Sequence, residues 1–240
     1  NLDIIEPFRP IKNVGEYLTK LRNAAQKEHE DATTRIFNLI ITDESGSMNS
    51  IKKEAIDSVN ETLQTIAAAQ QKYPGQEHFV TMVQFHTDVT TVCDCVPVAQ
   101  VKELDENTYR PSCCTALYDA MGMSLNSLRR KVQEGDKVLV TVVTDGCENA
   151  SREYNGKAIK ALVDELKAAG WVFAYVGANH DVESFAASIS ITNTMHFHAD
   201  SVGTRDMSRR MSSSRNRLFA RIHKDDFNPE EANVCFFNED

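Results

Sequence analysis

Arg35-Ile36-Phe37-Asn38-Leu39-Ile40-Ile41-Thr42-Asp43-Glu44-Ser45-Gly46-Ser47 decides the fold. The run Ile36–Ile41 is nearly all apolar, so it reads as a strand buried on both faces rather than one with a wet side. Where that strand should end, a carboxylate and two hydroxyls follow at intervals of two: Asp43, Ser45 and Ser47. All three side chains offer hard oxygen donors. A loop at the carboxyl end of a parallel strand can aim them at one point, which suits a small divalent cation. The plain alternative is a Ser/Asp turn that caps the next helix.

Working outward, the elements alternate. Strand one is expected over 35–42. The stripe Ile51, Ala55, Ile56, Val59, Leu63, Ile66 marks a long helix stopped near Pro74-Gly75. Runs 78–85 and 89–98 are joined by only His86-Thr87-Asp88, which permits an antiparallel hairpin and no parallel crossover. A loop over 99–114 precedes a helix expected over 116–132. Then come a strand at 137–144, a helix at 158–169 ending at Gly170, and a strand at 171–176. A short helix at 182–188, a strand at 194–198 and a last helix carrying Met207, Met211, Leu218 and Ile222 complete the order. Apolar strands alternating with helices predict an α/β fold: a doubly wound, mostly parallel sheet with helices on both faces. Residues 1–33 are expected to form an arm and a helix packed on the domain, 34–224 the domain itself, and 225–240 an acidic tail.

In such a sheet the ligand site lies beyond the strand carboxyl ends, where strand order reverses. Three segments should reach that edge: the loop at 43–47, Thr115 just before its helix, and Asp145 in Thr144-Asp145-Gly146. If the strands ending at Asp43 and Thr144 are neighbours, the two aspartates face each other, and Ser45, Ser47 and Thr115 fill the remaining directions. Mg²⁺ takes near-octahedral oxygen at about 2.0–2.1 Å and keeps several waters. Two carboxylates and three neutral hydroxyls leave it ready for one more anionic oxygen.

Asp43-x-Ser45-x-Ser47 after a strand, a Thr before a helix and a Thr-Asp-Gly after a later strand together resemble the metal-ion-dependent adhesion site (MIDAS) of the von Willebrand factor A domain family. The flanking runs 115–120 and 144–150 are similar to those of bacterial single-domain members, and the resemblance spans roughly 35–197. It implies a six-stranded sheet with one antiparallel edge strand. It implies that Ser45 and Ser47 bind the metal (Mg²⁺, or Mn²⁺ or Ca²⁺) directly, and that Asp43, Thr115 and Asp145 bind directly or through water. It also implies an open position for a partner protein's Asp or Glu.

The expected function is therefore a cation-dependent protein-interaction module, not an enzyme. No phosphate-binding loop, dinucleotide fingerprint or nucleophile elbow is present. A Mg²⁺-dependent phosphatase or hydrolase is the enzymatic alternative. A bacterial stress-response or assembly factor, with a tellurite-resistance-like or chelatase-like partner system, is an alternative setting.

Composition narrows the rest. The 240 residues carry net charge −9, with a sequence pI near 5.3, which argues against nonspecific nucleic-acid binding. No apolar run approaches the length of a membrane helix, so no membrane insertion is expected. The one basic cluster, Arg205 to Lys224, reads as a solvated helix face partly neutralised by the tail. Six cysteines without zinc-type spacing point to reduced thiols in a cytoplasmic protein. Cys113, Cys114 and Cys147 flank the candidate site. Glu44 is expected in solvent. Glu148 and Asp119 are candidates for a supporting role, and the histidines read as structural or exposed.

Overall fold

The structure, a computed structural model, describes residues 15, 18, 19, 33–178 and 181–238. The chain divides into two units, 1–33 and 34–240. The arm and first helix expected before residue 33 lie almost wholly outside the described residues; 15, 18 and 19 are helical.

Within the second unit the strands are β1 (Thr34–Asp43), β2 (Gln76–Phe85), β3 (Val89–Pro97), β4 (Lys137–Thr144), β5 (Val172–Gly177) and β6 (Thr194–His196). They form one sheet in the order β3-β2-β1-β4-β5-β6. Every pairing is parallel except β2 with β3, the antiparallel edge hairpin. The helices are α1 (Lys52–Lys72), α2 (Leu117–Leu128), α3 (Gly156–Ala168), α4 (Val182–Ser188), α5 (Ser201–His223) and α6 (Pro229–Cys235). β1 shows why the strands read as continuous apolar runs: Ile36 and Ile40 enter the core under α1 and α5, while Phe37, Leu39 and Ile41 enter the core under α2, α3 and α4.

Element boundaries differ from expectation in three places that matter. Before α1 the chain makes a 3-10 turn, Gly46–Ile51, so Ile51, the first residue of the expected helical stripe, precedes α1, and Ser47 sits on a tight turn. α2 ends at Leu128 because Lys131 N turns back to the Leu128 carbonyl at 2.9 Å. The expected acidic tail contains α6, with Ala232, Phe236 and Phe237 buried. Three buried aliphatic and aromatic side chains outweigh the segment's charge.

The basic cluster needs a correction as well. Arg221 forks onto Glu231 at 2.9 and 2.7 Å, and Arg217 bonds the Asn238 carbonyl at 2.8 Å, so the tail does neutralise part of it. Arg215, however, is 1% exposed. It lies one turn after Met211 and one turn before Leu218, on the helix's inward stripe.

His78 is fully buried on the α5 side. Its Nδ1 lies 3.4 Å from Asn38 Nδ2, an amide that can only donate, and its Nε2 lies 3.1 Å from Gln76 Oε1, which can only accept. That network fixes a neutral ring, protonated on Nε2. Burial lowers the His78 pKa from 6.5 to about 4. Between those values the unfolded chain binds a proton that the folded chain refuses, so stability falls as pH drops through this window. Roughly 3 kcal/mol is lost by pH 4 from this one group. Denaturant unfolding at pH 7 and near pH 4 should show the loss, and His78→Gln should flatten it. An unchanged pH slope in the variant would assign the acid sensitivity elsewhere.

Candidate functional site

β1 and β4 are neighbours, in register from Ile36–Lys137 to Thr42–Val143. Asp43, the last residue of β1, therefore stands opposite Thr144, the last of β4, at the switch point of the sheet. Thr144 Oγ1 donates to Asp43 Oδ2 at 2.5 Å, and Ser45 N donates to Asp43 Oδ1 at 2.7 Å. Ser47 Oγ donates to Asp145 Oδ1 at 2.6 Å, and the two serine oxygens are 3.1 Å apart. Thr115 is carried in on a third loop. Its N–H donates to Asn149 Oδ1 at 2.9 Å, and its carbonyl accepts from Asn149 N and Ala150 N.

Gly146 shows where these groups converge. A Cβ at that position would lie 3.2 Å from Thr115 Oγ1, 3.7 Å from Ser47 Oγ and 3.8 Å from Asp43 Oδ2. The structure thus brings all five expected residues together: Asp43, Ser45, Ser47 and Asp145 by hydrogen bonds, Thr115 by this shared cradle.

The charges are held under strain. Asp43 is 0% exposed and Asp145 is also buried, whereas Ser47 faces solvent, so the cluster opens on one side. Burial raises the Asp43 pKa; hydrogen bonds from Thr144 and Ser45 pull it back, and the nearby Asp145 charge raises it further. The buried phenols of Tyr109 and Tyr175 are pushed well above the ordinary tyrosine range by burial first and by Asp43 second. They remain neutral, and Tyr109 donates to the Asp43 carbonyl at 2.5 Å.

Several supporting residues were not legible in advance. Tyr109 is the one aromatic in the 99–114 loop, and Asn149 carried no signal beyond proximity; Thr144 stood in the Thr-Asp-Gly element, but its bond to Asp43 was not expected. Glu44, expected in solvent, is buried. Its Oε1 accepts from Arg110 N, its carbonyl accepts from Ser112 N at 2.9 Å, and its N–H donates to the Phe85 carbonyl. Gly46 N adds a bond to the Cys113 carbonyl at 3.2 Å. These contacts fasten the loop that delivers Thr115 to the loop bearing the serines.

Glu148 accepts from Tyr118 N, Ala150 N, Ser151 N and Ser151 Oγ at 2.7–2.9 Å. Asp119 accepts from Arg152 N, Glu153 N and Tyr154 N. Both acids serve to shape the loop after Asp145. Cys113, Cys114 and Cys147 are free and exposed. Among the described residues no group of three or more His, Cys, Asp or Glu is placed to hold a metal. Any cation here must therefore rely on hydroxyls as well as carboxylates.

Residues 39–209 match the family model for the von Willebrand factor type A domain. Comparison with curated protein sequences gives no match. Among solved structures, the chain resembles the PilB minor pilin of Streptococcus sanguinis, with TM-score 0.56 and 13% identity over 82% of this chain and 63% of the pilin. It resembles proximal thread matrix protein 1 of the mussel byssus, whose structure has a zinc-occupied MIDAS motif, with TM-score 0.56 and 16% identity over 77% of this chain and 46% of that one. A third likeness is to the vWF domain of the pilus tip protein Mfa5 of Porphyromonas gingivalis, with TM-score 0.52 and 9% identity over 76% of this chain and 96% of that domain. The chain thus spans less than two thirds of the first two proteins. At these identities the likenesses concern the fold, and with the family model over 39–209 they lead to one assignment: the chain belongs to the von Willebrand factor type A domain family.

Proposed function

We propose that this chain is a divalent-cation-dependent protein-interaction module and not an enzyme. Asp43, Ser45, Ser47, Thr115 and Asp145 would hold Mg²⁺, and an Asp or Glu of a partner protein would complete its coordination. The observation that carries this reading is the convergence of Thr115, Ser47 and Asp43 oxygens on the space beside Gly146. The donors are all hard oxygens, the class that suits Mg²⁺, Mn²⁺ or Ca²⁺ rather than a soft ion. A bound cation would supply charge for two buried carboxylates that otherwise repel each other.

The non-enzymatic part is supported by the acids around the cluster. Glu44, Glu148 and Asp119 are each occupied by backbone N–H donors, which commits them to loop structure rather than to proton transfer. Six free thiols support a reducing, cytoplasmic setting. The zinc-occupied MIDAS of the mussel protein, and the pilin and pilus-tip roles in the names of the other two, fit an interaction role for the fold.

Capture of partners from native lysate, with and without EDTA, tests the reading; retention that ignores the chelator counts against it. Gly146→Ala is the sharper probe. Its methyl group would enter the space on which the oxygens converge, with 3.2 Å to Thr115 Oγ1. Mn²⁺ affinity by calorimetry should fall roughly tenfold or more with the fold retained. Unaltered affinity would place the cation elsewhere.

A further inference from the structure

Between the sheet and the helices α1 and α5, beneath the 43–47 loop, lies a cavity of about 20 Å³. Its walls include Thr42, Met48, Ser58, Thr62, Met207 and Met211, all buried. That volume admits one small occupant. Most of the wall is apolar, but four hydroxyls line it, from Thr42 on β1, Ser58 and Thr62 on α1 and Thr204 on α5; Thr204 Oγ1 already donates to the Asp200 carbonyl at 2.8 Å, which leaves the first three for an occupant. Thr42 Oγ1 is fully buried and has no hydrogen-bond partner.

Behind Thr62 stands Arg215. Its Nη1 donates to Thr62 Oγ1 at 3.5 Å and its Nη2 to Thr141 Oγ1 at 2.8 Å, while its Nε has no partner. Because Thr62 Oγ1 accepts from the guanidinium, its own proton is available to the cavity. No carboxylate pairs with Arg215 among the described ion pairs. Burial alone lowers its pKa, to about 10, so it still carries its charge at neutral pH. An uncompensated charge in a core is strongly disfavoured unless something of opposite sign is near.

We propose that this cavity is a binding site for one small monovalent anion of the halide class. Thr42, Ser58 and Thr62 donate their hydroxyl protons to it, and Arg215 supplies the compensating charge through Thr62. Water would satisfy the hydroxyls but would leave the arginine uncompensated. The site is separate from the proposed cation centre and does not depend on it.

Thermal unfolding in bromide and in gluconate, at constant ionic strength, tests the proposal. Bromide should raise Tm by roughly 3–6 °C for each tenfold increase above its Kd, and gluconate should not. Thr42→Val is nearly isosteric and breaks no hydrogen bond, so it should fold and lose the bromide effect; Ser58→Ala is a second variant of the same kind. A bromide-soaked crystal should show an anomalous peak in the cavity. Equal Tm values in the two salts, or a water there with no anomalous signal, would overturn the proposal.

Discussion

Asp43→Asn should lower divalent-cation affinity at the proposed centre by roughly a hundredfold, yet leave the cation-free protein as stable as the parent or more so. The loss follows from charge: removing one of two carboxylates from a centre otherwise made of neutral hydroxyls leaves a cation poorly neutralised. Even outer partners of metal ligands are worth about 10–100-fold, and Asp43 lies at the centre of the cluster. The retained stability follows from geometry. The asparagine oxygen still accepts from Ser45 N, where Asp43 Oδ1 does so now. Thr144 Oγ1, which now donates to Asp43 Oδ2, can accept from the new amide and turn its proton to the Gly146 carbonyl, 3.2 Å away. The variant also removes a buried charge next to Asp145, which is among the causes raising the Asp43 pKa. Mn²⁺ calorimetry measures the first effect, and thermal unfolding with and without Mg²⁺ the second. Mg²⁺ should raise Tm in the parent and not in the variant. A variant that binds Mn²⁺ as tightly as the parent removes Asp43 from the centre.

Asn233→Ala destabilises the domain by about 3–5 kcal/mol, far more than a surface change in the same helix. β6 covers only Tyr175–Gly177 of β5, so the first half of β5 has no strand on that side. Two asparagines act in its place. Asn233 Oδ1 accepts from Phe173 N at 3.0 Å, and its Nδ2 donates to the Trp171 carbonyl at 2.8 Å. Asn193 Nδ2 donates to the Phe173 and Ala232 carbonyls, and its Oδ1 accepts from Phe236 N. Removing the Asn233 amide strands a buried N–H and a buried carbonyl, each costing about 1–3 kcal/mol. Chemical denaturation should show the drop, with exposed Glu230→Ala as a control that changes stability by less than about 0.5 kcal/mol. If the two variants behave alike, the clasp contributes little.

This clasp also marks a limit of the sequence. Residues 225–240 read as an acidic tail because charge dominates their composition. What makes them part of the domain is a pair of asparagine amides matched to an exposed strand edge, and side-chain amides that pair with backbone leave no periodicity. Glu44 is similar. A glutamate in a polar loop reads as solvated until another loop presents its N–H groups. Arg215 is the opposite case: its place on the stripe from Met207 to Ile222 was legible, and its charge masked the reading.

The sequence by itself determined the sheet and which oxygen-bearing side chains gather at its upper edge. Apolar runs alternating with amphipathic stripes allow few architectures, and a two-residue spacing on a loop restricts which oxygens reach one point. Asp43, Ser45, Ser47, Thr115 and Asp145 were therefore nameable from order and spacing, and the β2–β3 hairpin from the shortness of its link. Only the tertiary structure decided what depends on long-range meeting. It placed β1 beside β4, brought Thr115 to the cradle at Gly146, buried Glu44 under the 109–113 loop and, among the described residues, left Arg215 without a carboxylate. Those outcomes turn on distances between residues up to about a hundred positions apart, such as Asp43 and Thr144. Local propensity says nothing about such pairs, because their energies arise only once the sheet has excluded water from between them.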